Sequence, residues 1–367
     1  MYSFKTVGII GQGYVGQELA TACLDAGYEV QGIDTNQKLI QELNRKFAGR
    51  SYKATTKYSS LQCCDVVVFA VPTNLNNNRP DYSNLKSAIE EAGPFICSRT
   101  LVVIESTVGV GFTRAKVLPM LNKLTNRDTF YLAYVPERID PGSSFKYSDI
   151  TRVVSGLTST DRSIANEFYQ TLVSGTKLAE SFEHAEAAKL LENSYRLVNI
   201  SLVNQFNEAC LNHGLDASSV VGLAATKPFG FMPFYPSAGI GGDCIPVDPA
   251  YLLNSLGSIP LIEQALLYND AAPDRIISKI EKRIGNLKNK RVAVIGMSYK
   301  PNTAITNNSV GQKVLDKLIA LGVDAYGVDV HDSSLKIKAK TDLGVIVVKH
   351  TSQPIYDVDI LDVSEGI

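Results

Sequence analysis

A chain of 367 residues is too long for one compact core and implies two or three domains, and its 36 Lys and Arg against 37 Asp and Glu give no electrostatic case for nucleic acid or an anionic membrane surface. The six cysteines (23, 63, 64, 97, 210 and 244) lack both metal-ligand spacing and the density of a disulfide scaffold, and the four histidines (184, 213, 331 and 350) contain no His-x-x-x-His pair, so no metal site is expected. No apolar stretch is long enough to span a bilayer and the N-terminus shows no signal-peptide pattern, which predicts a soluble, cytoplasmic protein whose partner is a small polar substrate.

In chain order, residues 6–10 read as a buried strand running into Gly11-Gln-Gly-Tyr14-Val15-Gly16. A helix over 17–26, a stop at Gly27, a second strand over 29–33 and Asp34 at its end follow. Gly11 suits the tight turn, Gly13 a close approach of backbone to pyrophosphate, and Gly16 close packing of helix on strand. The first-turn N–H groups of the helix would face phosphate oxygens. Asp34 can accept from a ribose hydroxyl and would repel a 2′-phosphate, so the expected cofactor is NAD rather than NADP.

Next come a polar helix over 36–47, a strand over 65–71 broken by Pro72-Thr73-Asn74, a helix over 83–92, and a strand over 100–104 ending in Glu105-Ser-Thr107-Val108. A strand over 129–133 leads to Pro136-Glu137. The alternation predicts a parallel, doubly wound sheet whose ligand rim carries residues 11–16, Asp34, Thr73, Thr107 and Glu137.

Residues 184–213 predict one long helix with apolar side chains on most faces. Such a helix is expected to be buried on most sides, joining two domains and packing on its equivalent in a homodimer or larger assembly. Its first turns carry Glu186, Lys189 and Asn193, and the four-residue step places Lys189 and Asn193 on one face, either as a site or as a solvated polar patch. Cys244 follows a glycine-rich loop, Ser237-Ala-Gly-Ile-Gly241-Gly-Asp-Cys244, and precedes Pro246 and Asp248. That is an unusual place for an inert buried thiol and a suitable one for a nucleophile. From residue 286 a second βαβ pattern begins (strand 290–296, helix 310–321, strand 323–328), with Ser298 in place of the second fingerprint glycine and further strands over 345–348 and 358–361. The fold class is therefore α/β, with two Rossmann-like doubly wound domains joined by a long central helix: 1–183, 184–285 and a shortened 286–367.

Together with Gly11-Gln-Gly-Tyr-Val-Gly16 and Glu105-Ser-Thr-Val108, the motifs Pro136-Glu-Arg138-Ile-Asp-Pro-Gly142, Glu186-Ala-Ala-Lys-Leu-Leu-Glu-Asn193 and Gly241-Gly-Asp-Cys-Ile-Pro-Val-Asp248 resemble the UDP-glucose/GDP-mannose dehydrogenase family. The resemblance implies oxidation of a nucleotide sugar's C6 alcohol to a carboxylate with two NAD per turnover. It implies a UDP-binding role for 286–367 and a dimerising, catalytic role for 184–285. An aldehyde cannot give up a second hydride until a nucleophile adds to it, and Cys244 can form the thiohemiacetal and then the thioester. Asp248 is placed to act as base, with Thr107 and Glu137 holding water, and Lys189 and Asn193 to stabilise an oxyanion. Arg138, Phe234, Tyr235, Gly241 and Lys300 join Glu137, Lys189 and Asn193 as implied contacts to the UDP-sugar.

The run 136–142 and Val247, where a lysine would mark the UDP-glucose branch, are more similar to the branch acting on UDP-N-acetylhexosamines. UDP-N-acetylglucosamine or UDP-N-acetylgalactosamine is the expected substrate, with UDP-N-acetylmannosamine, UDP-glucose and GDP-mannose as alternatives. The chain departs from the family pattern at Pro233 and Asn307, where arginines are expected, and at Asp243, where a histidine is. A carboxylate beside Cys244 raises the thiol pKa unless something offsets it. Two other readings fit the same elements: a two-electron dehydrogenase of the β-hydroxyacid type with no need for Cys244, and a non-catalytic NAD-binding homologue.

Overall fold

The computed structural model describes residues 4–62, 64–125, 130–140, 143–332 and 336–365. The chain separates into two compact units, Met1–Leu191 with Ala250–Gly257, and Glu192–Pro249 with Ser258–Ile367.

In the first unit, eight of the described strands form one sheet: β1 (Thr6–Ile10), β2 (Glu29–Ile33), β3 (Tyr52–Thr55), β4 (Val66–Phe69), β7 (Leu101–Ile104), β8 (Tyr131–Tyr134), β9 (Arg152–Gly156) and β10 (Thr176–Leu178). Two short strands, β5 (Asn74–Asn76) and β6 (Arg79–Asp81), pair as a separate hairpin. The sheet order is β10-β9-β8-β7-β4-β1-β2-β3. Alternating side chains feed two cores. Val7, Ile9, Val66 and Val68 face one cluster, and Ile10, Val67 and Phe69 the other. Both faces are covered by apolar side chains, which is why β4 and β7 read as unbroken apolar runs.

The sheet is not wholly parallel, as the sequence suggested: β9 runs antiparallel to β8. Among the described residues of the connection between them, 135–151, the one helical element is a short 3₁₀ turn at Tyr147–Asp149, whereas a parallel return is usually made through a crossover helix. The first helix, Tyr14–Asp25, begins inside the glycine motif and not at residue 17. Residue 129 lies outside the described residues.

The second unit carries a sheet in the order β12-β11-β13-β14, built from β11 (Arg291–Ile295), β12 (Asp324–Val328), β13 (Leu343–Ile346) and β14 (Ile360–Asp362), all parallel. The last two strands are offset by about two residues from the sequence expectation. Helices Ala272–Ile284 and Val310–Ala320 bury Ile276, Ile280, Val314 and Leu318 with Val292, Val294 and Val345.

The long helix spans Phe182–Leu211, its residues up to 191 in the first unit and the rest in the second. Its burial is one-sided and not nearly all-round. Leu190, Leu197 and Val203 are buried, while Leu191 (61%), Tyr195 (46%), Leu202 (63%) and Phe206 (40%) are exposed. Those four recur at steps of four, seven and four residues, a single apolar stripe.

Candidate active site

In the first unit, the glycine loop sits at the carboxyl ends of β1 and β2. Gly11 has φ +90°, and a Cβ there would lie 2.6 Å from the Ala70 carbonyl oxygen. A Cβ on Gly16 would lie 1.9 Å from the Gly11 carbonyl oxygen, so the helix can rest on the turn only without a side chain. A Cβ on Gly13 would meet nothing within 4 Å, which leaves its backbone open to a ligand. No side chain caps the N-terminus of helix Tyr14–Asp25, where Tyr14 is exposed and Val15 is half-buried. An uncapped helix start beside an open glycine is the donor set a pyrophosphate requires.

Asp34 ties this loop to β2. Its carboxylate accepts the Gln12 N–H at 2.8 Å and the Asn36 N–H at 2.8 Å. The Gln12 side chain is buried beneath the loop, donating to the Ile9 carbonyl at 2.9 Å and accepting from the Tyr52 hydroxyl at 2.7 Å. Sequence reading missed Gln12 and Tyr52; the signal was a polar residue between two fingerprint glycines. Farther along the rim the Thr73 hydroxyl donates to the Thr107 carbonyl at 2.8 Å, joining the ends of β4 and β7.

Glu137 is held by neighbours. Its carboxylate accepts the Ile139 N–H and lies 3.6 Å from an Arg152 guanidinium nitrogen. Arg152 is fully buried over the Tyr147 ring, and Glu105 beside it accepts from the Tyr147 and Tyr169 hydroxyls, each at 2.7 Å. Burial raises the Glu105 carboxyl above its ordinary pKa, against the pull of Arg152 and the two phenols. Arg152, Tyr147 and Tyr169 were not singled out from sequence, although an acid closing a buried strand demands such partners. Arg138 donates to the Thr151 carbonyl at 2.7 Å. Glu186 acts locally, its carboxylate accepting the N–H groups of Gly111 and Thr113 and so satisfying the start of the helical turn there. Lys189, 6% exposed, also belongs to the first unit.

The second unit brings Asn193, Cys244 and Asp248 together. The Asn193 amide donates to the Asp248 carboxylate at 2.6 Å, and both side chains are buried. The Cys244 carbonyl accepts the Asp248 N–H at 2.8 Å and the Val247 N–H at 3.2 Å, so thiol and acid are set by one turn. Cys244 is exposed, whereas Cys23, Cys64 and Cys210 are buried and Cys97 is partly so. Cys63 lies outside the described residues. Phe234 packs edge-on against Tyr195 at 6.0 Å, and Tyr235 is 54% exposed.

Three sets of asparagines fix the loop leading to Cys244. Asn204 accepts the Ser237 N–H at 2.8 Å, and Asn269 accepts the Ile240 N–H at 2.7 Å and donates to the Ile240 carbonyl at 3.1 Å. Asn307 and Asn308 hold Gly242 and Asp243. Lys300 lies 5.6 Å from the Tyr299 ring centroid.

At the rim of the second sheet, Asp329 accepts the N–H groups of Met297 (2.7 Å) and Ser298 (3.1 Å), the counterpart of Asp34 on Gln12. His331 and His350 come close to it, with ligand atoms of all three within 4.8 Å. The histidines lie nineteen positions apart in sequence, too far for any local spacing to join them. The Asn302 N–H donates to His350 Nδ1 at 3.0 Å, which leaves the proton of the neutral ring on Nε2, 3.0 Å from the Ser298 hydroxyl. The ring is thus engaged as a hydrogen-bond link in a tautomer unsuited to metal at Nε2.

Residues 45–173 match the UDP-glucose/GDP-mannose dehydrogenase family NAD binding domain, and residues 183–271 match the family's central domain. Residues 6–82 also match the NADP oxidoreductase coenzyme F420-dependent family. The chain is 32% identical over 387 residues to a UDP-N-acetyl-D-glucosamine 6-dehydrogenase of Pseudomonas aeruginosa, covering 98% of this chain and 90% of that protein. It is 31% identical over 342 residues to a UDP-N-acetyl-D-mannosamine dehydrogenase of Methanocaldococcus jannaschii, covering 87% and 78%. A solved UDP-D-ManNAc dehydrogenase from Pyrococcus horikoshii superposes with a TM-score of 0.88 at 27% identity, over 98% of this chain and 99% of that one. Among the described residues, no helix is long and apolar enough to cross a membrane.

Proposed function

The chain belongs to the UDP-glucose/GDP-mannose dehydrogenase family and is an NAD-dependent oxidoreductase, and on that premise we propose that it oxidises the C6 hydroxyl of a UDP-N-acetylhexosamine to the carboxylate. We take UDP-N-acetylglucosamine or UDP-N-acetylgalactosamine as the substrate, and the mannosamine relatives make that epimer the competitor. The observation that carries the reading is the grouping of Cys244, Asp248 and Asn193 through the turn at 244–248 and the Asn193–Asp248 hydrogen bond.

In this reading the first unit carries the dinucleotide, with Gly11, Gly13, Tyr14, Val15 and Gly16 holding the pyrophosphate, Asp34 the adenosine ribose, and Thr73 and Thr107 the rim beyond. NAD supplies the hydride acceptor for both oxidations. The chain's own groups do the rest. Asp248 takes the proton of the C6 hydroxyl, directly or through water held by Thr107 and Glu137. The Cys244 thiolate adds to the aldehyde carbon, forming a C–S bond, while Lys189 and Asn193 stabilise the oxyanion; losing one such donor costs about 3 kcal/mol in comparable sites. Loss of hydride from the thiohemiacetal leaves a thioester. Once Asp248 has passed its first proton to solvent, water adds to the thioester carbon and gives a proton to Asp248, and the C–S bond breaks to release the thiolate and the acid, which ionises to the carboxylate by losing its proton to solvent. Arg138, Phe234, Tyr235, Gly241 and Lys300 contact the nucleotide sugar. The division into 1–183, 184–285 and 286–367 and a homodimer joined through the exposed stripe of helix Phe182–Leu211 belong to the same proposal.

A panel of UDP- and GDP-sugars scored for NADH yield tests it. Two NADH per UDP-N-acetylglucosamine or UDP-N-acetylgalactosamine is the expected result. One NADH per sugar would indicate a two-electron dehydrogenase instead, and turnover confined to UDP-N-acetylmannosamine would reassign the epimer.

A further inference from the structure

We propose that Asp243, Asn307 and Asn308 form a clasp that sets the position and reactivity of Cys244, with Asp243 and Asn307 acting as positioning residues for the aldehyde-oxidising step. The inference rests on Cys244 being the nucleophile. The clasp lies within the second unit, between the loop ending at Cys244 and the segment 299–309 that precedes helix Val310–Ala320.

Four hydrogen bonds join the two segments. The Gly242 N–H donates to the Asn307 carbonyl at 3.0 Å, and the Asn308 amide donates to the Gly242 carbonyl at 3.2 Å. The Asn307 amide donates to one Asp243 carboxylate oxygen at 2.7 Å, and the Asn308 amide approaches the other at 3.5 Å. The backbone is shaped for this seating. Gly242 has φ +85° and Asn308 φ +50°, conformations that glycine and asparagine adopt most readily. A Cβ on Gly241 would lie 2.8 Å from the Asn308 carbonyl oxygen, and one on Gly242 would lie 2.9 Å from the Tyr299 ring. The two segments therefore pack flush, and any side chain at either glycine would part them.

Asp243 and Asn307 are both exposed. Exposed hydrogen bonds contribute little to stability, so holding the fold together does not account for the pair. Its consequence falls on the residue next in the chain. An unrestrained carboxylate next to a thiol disfavours the thiolate, and two amide donors partly offset that charge and fix its direction. Two positions at which this chain departs from its family's pattern, Asp243 and Asn307, are thus partners of each other.

The test uses the full chain with Asp243→Ala, Asn307→Ala, the double variant and Asp243→Asn. Three readouts apply: NADH from the first and second oxidations resolved in single turnover, the pH profile of iodoacetamide alkylation at Cys244, and thermal melting. Each alanine variant is expected to slow the second oxidation by roughly tenfold and leave the first within about twofold, with the double variant no slower than the slower single one, as coupled neighbours behave. Asp243→Asn keeps an oxygen for the Asn307 amide and is expected to restore most of the rate, with the alkylation midpoint moved to lower pH. Additive losses, an unchanged alkylation profile in both alanine variants, or Asp243→Asn as slow as Asp243→Ala would overturn the clasp. A Cys244→Ser variant that oxidised aldehyde at the normal rate would instead remove the nucleophile reading on which the clasp rests, which keeps the two failures apart.

Discussion

Asn269 offers the sharpest check on how the loop before Cys244 is held. Its side chain is 4% exposed and makes two hydrogen bonds to the backbone of Ile240, itself 5% exposed. Asn269→Ala strands a buried N–H and a buried carbonyl at about 1–3 kcal/mol each, and because some water will enter the space, a total of about 2–4 kcal/mol is expected. The chain contains no tryptophan, so urea denaturation is best followed by far-UV circular dichroism, with iodoacetamide alkylation of Cys244 reporting the loop directly. Alkylation should lose its wild-type pH profile. Asn269→Asp adds a sign: a carboxyl facing a carbonyl in this buried place has its folded pKa raised, and only its protonated form restores both bonds. That contribution is present at low pH and is lost as pH rises through the raised pKa, so the aspartate variant should lie nearer wild type at pH 5 than at pH 8. A destabilisation below about 0.5 kcal/mol with unaltered alkylation would refute the reasoning, since that is the range of a surface substitution.

Wild-type protein should prefer NAD to NADP in kcat/KM, and Asp34→Ala should narrow the preference by roughly tenfold or more, the worth of a charge-assisted hydrogen bond; a preference for NADP in the wild type would contradict the role given to Asp34. Leu202→Glu with Phe206→Glu places two charges on the exposed stripe and should convert a dimer to a monomer in light scattering, whereas a wild-type monomer at micromolar concentration would rule out that interface. Burial lowers the His350 pKa below its ordinary value, against the pull of Asp329 and with His331 adding to the shift. Its contribution is therefore present above the unfolded histidine pKa and lost as pH falls through the folded one, so melting temperature should drop from pH 7 toward acid more steeply in wild type than in His350→Gln, and parallel curves would show that His350 plays no such part.

The sequence carried the elements whose physics is local. Short runs rich in Val and other apolar residues marked β1, β4 and β7, and three glycines marked a turn in which one sits at positive φ and another would clash with a carbonyl if it bore a Cβ. Cys244 stood out because a cysteine between a glycine loop and a proline has no reason to be core. Pairings between distant segments were not legible. The antiparallel pairing of β9 with β8 joins segments separated by a long connection. The Arg152, Glu105 and Tyr147 group depends on tertiary burial, and the Asp329, His331 and His350 group joins residues with no shared period. Which face of helix Phe182–Leu211 the chain itself leaves exposed was not legible either, because an apolar stripe reads the same whether the chain or a partner covers it.

The central claim is that Cys244 carries the second oxidation, and single-turnover analysis of Cys244→Ser tests it most directly. The variant should still release NADH from the first hydride transfer and then pass only slowly through the second, because a serine hydroxyl is a far weaker nucleophile, and the ester that the second transfer leaves hydrolyses slowly. Mass spectrometry of the stalled protein should find a sugar-linked adduct, and steady-state acid formation should collapse. Two NADH per sugar at the wild-type rate in that variant would contradict the claim.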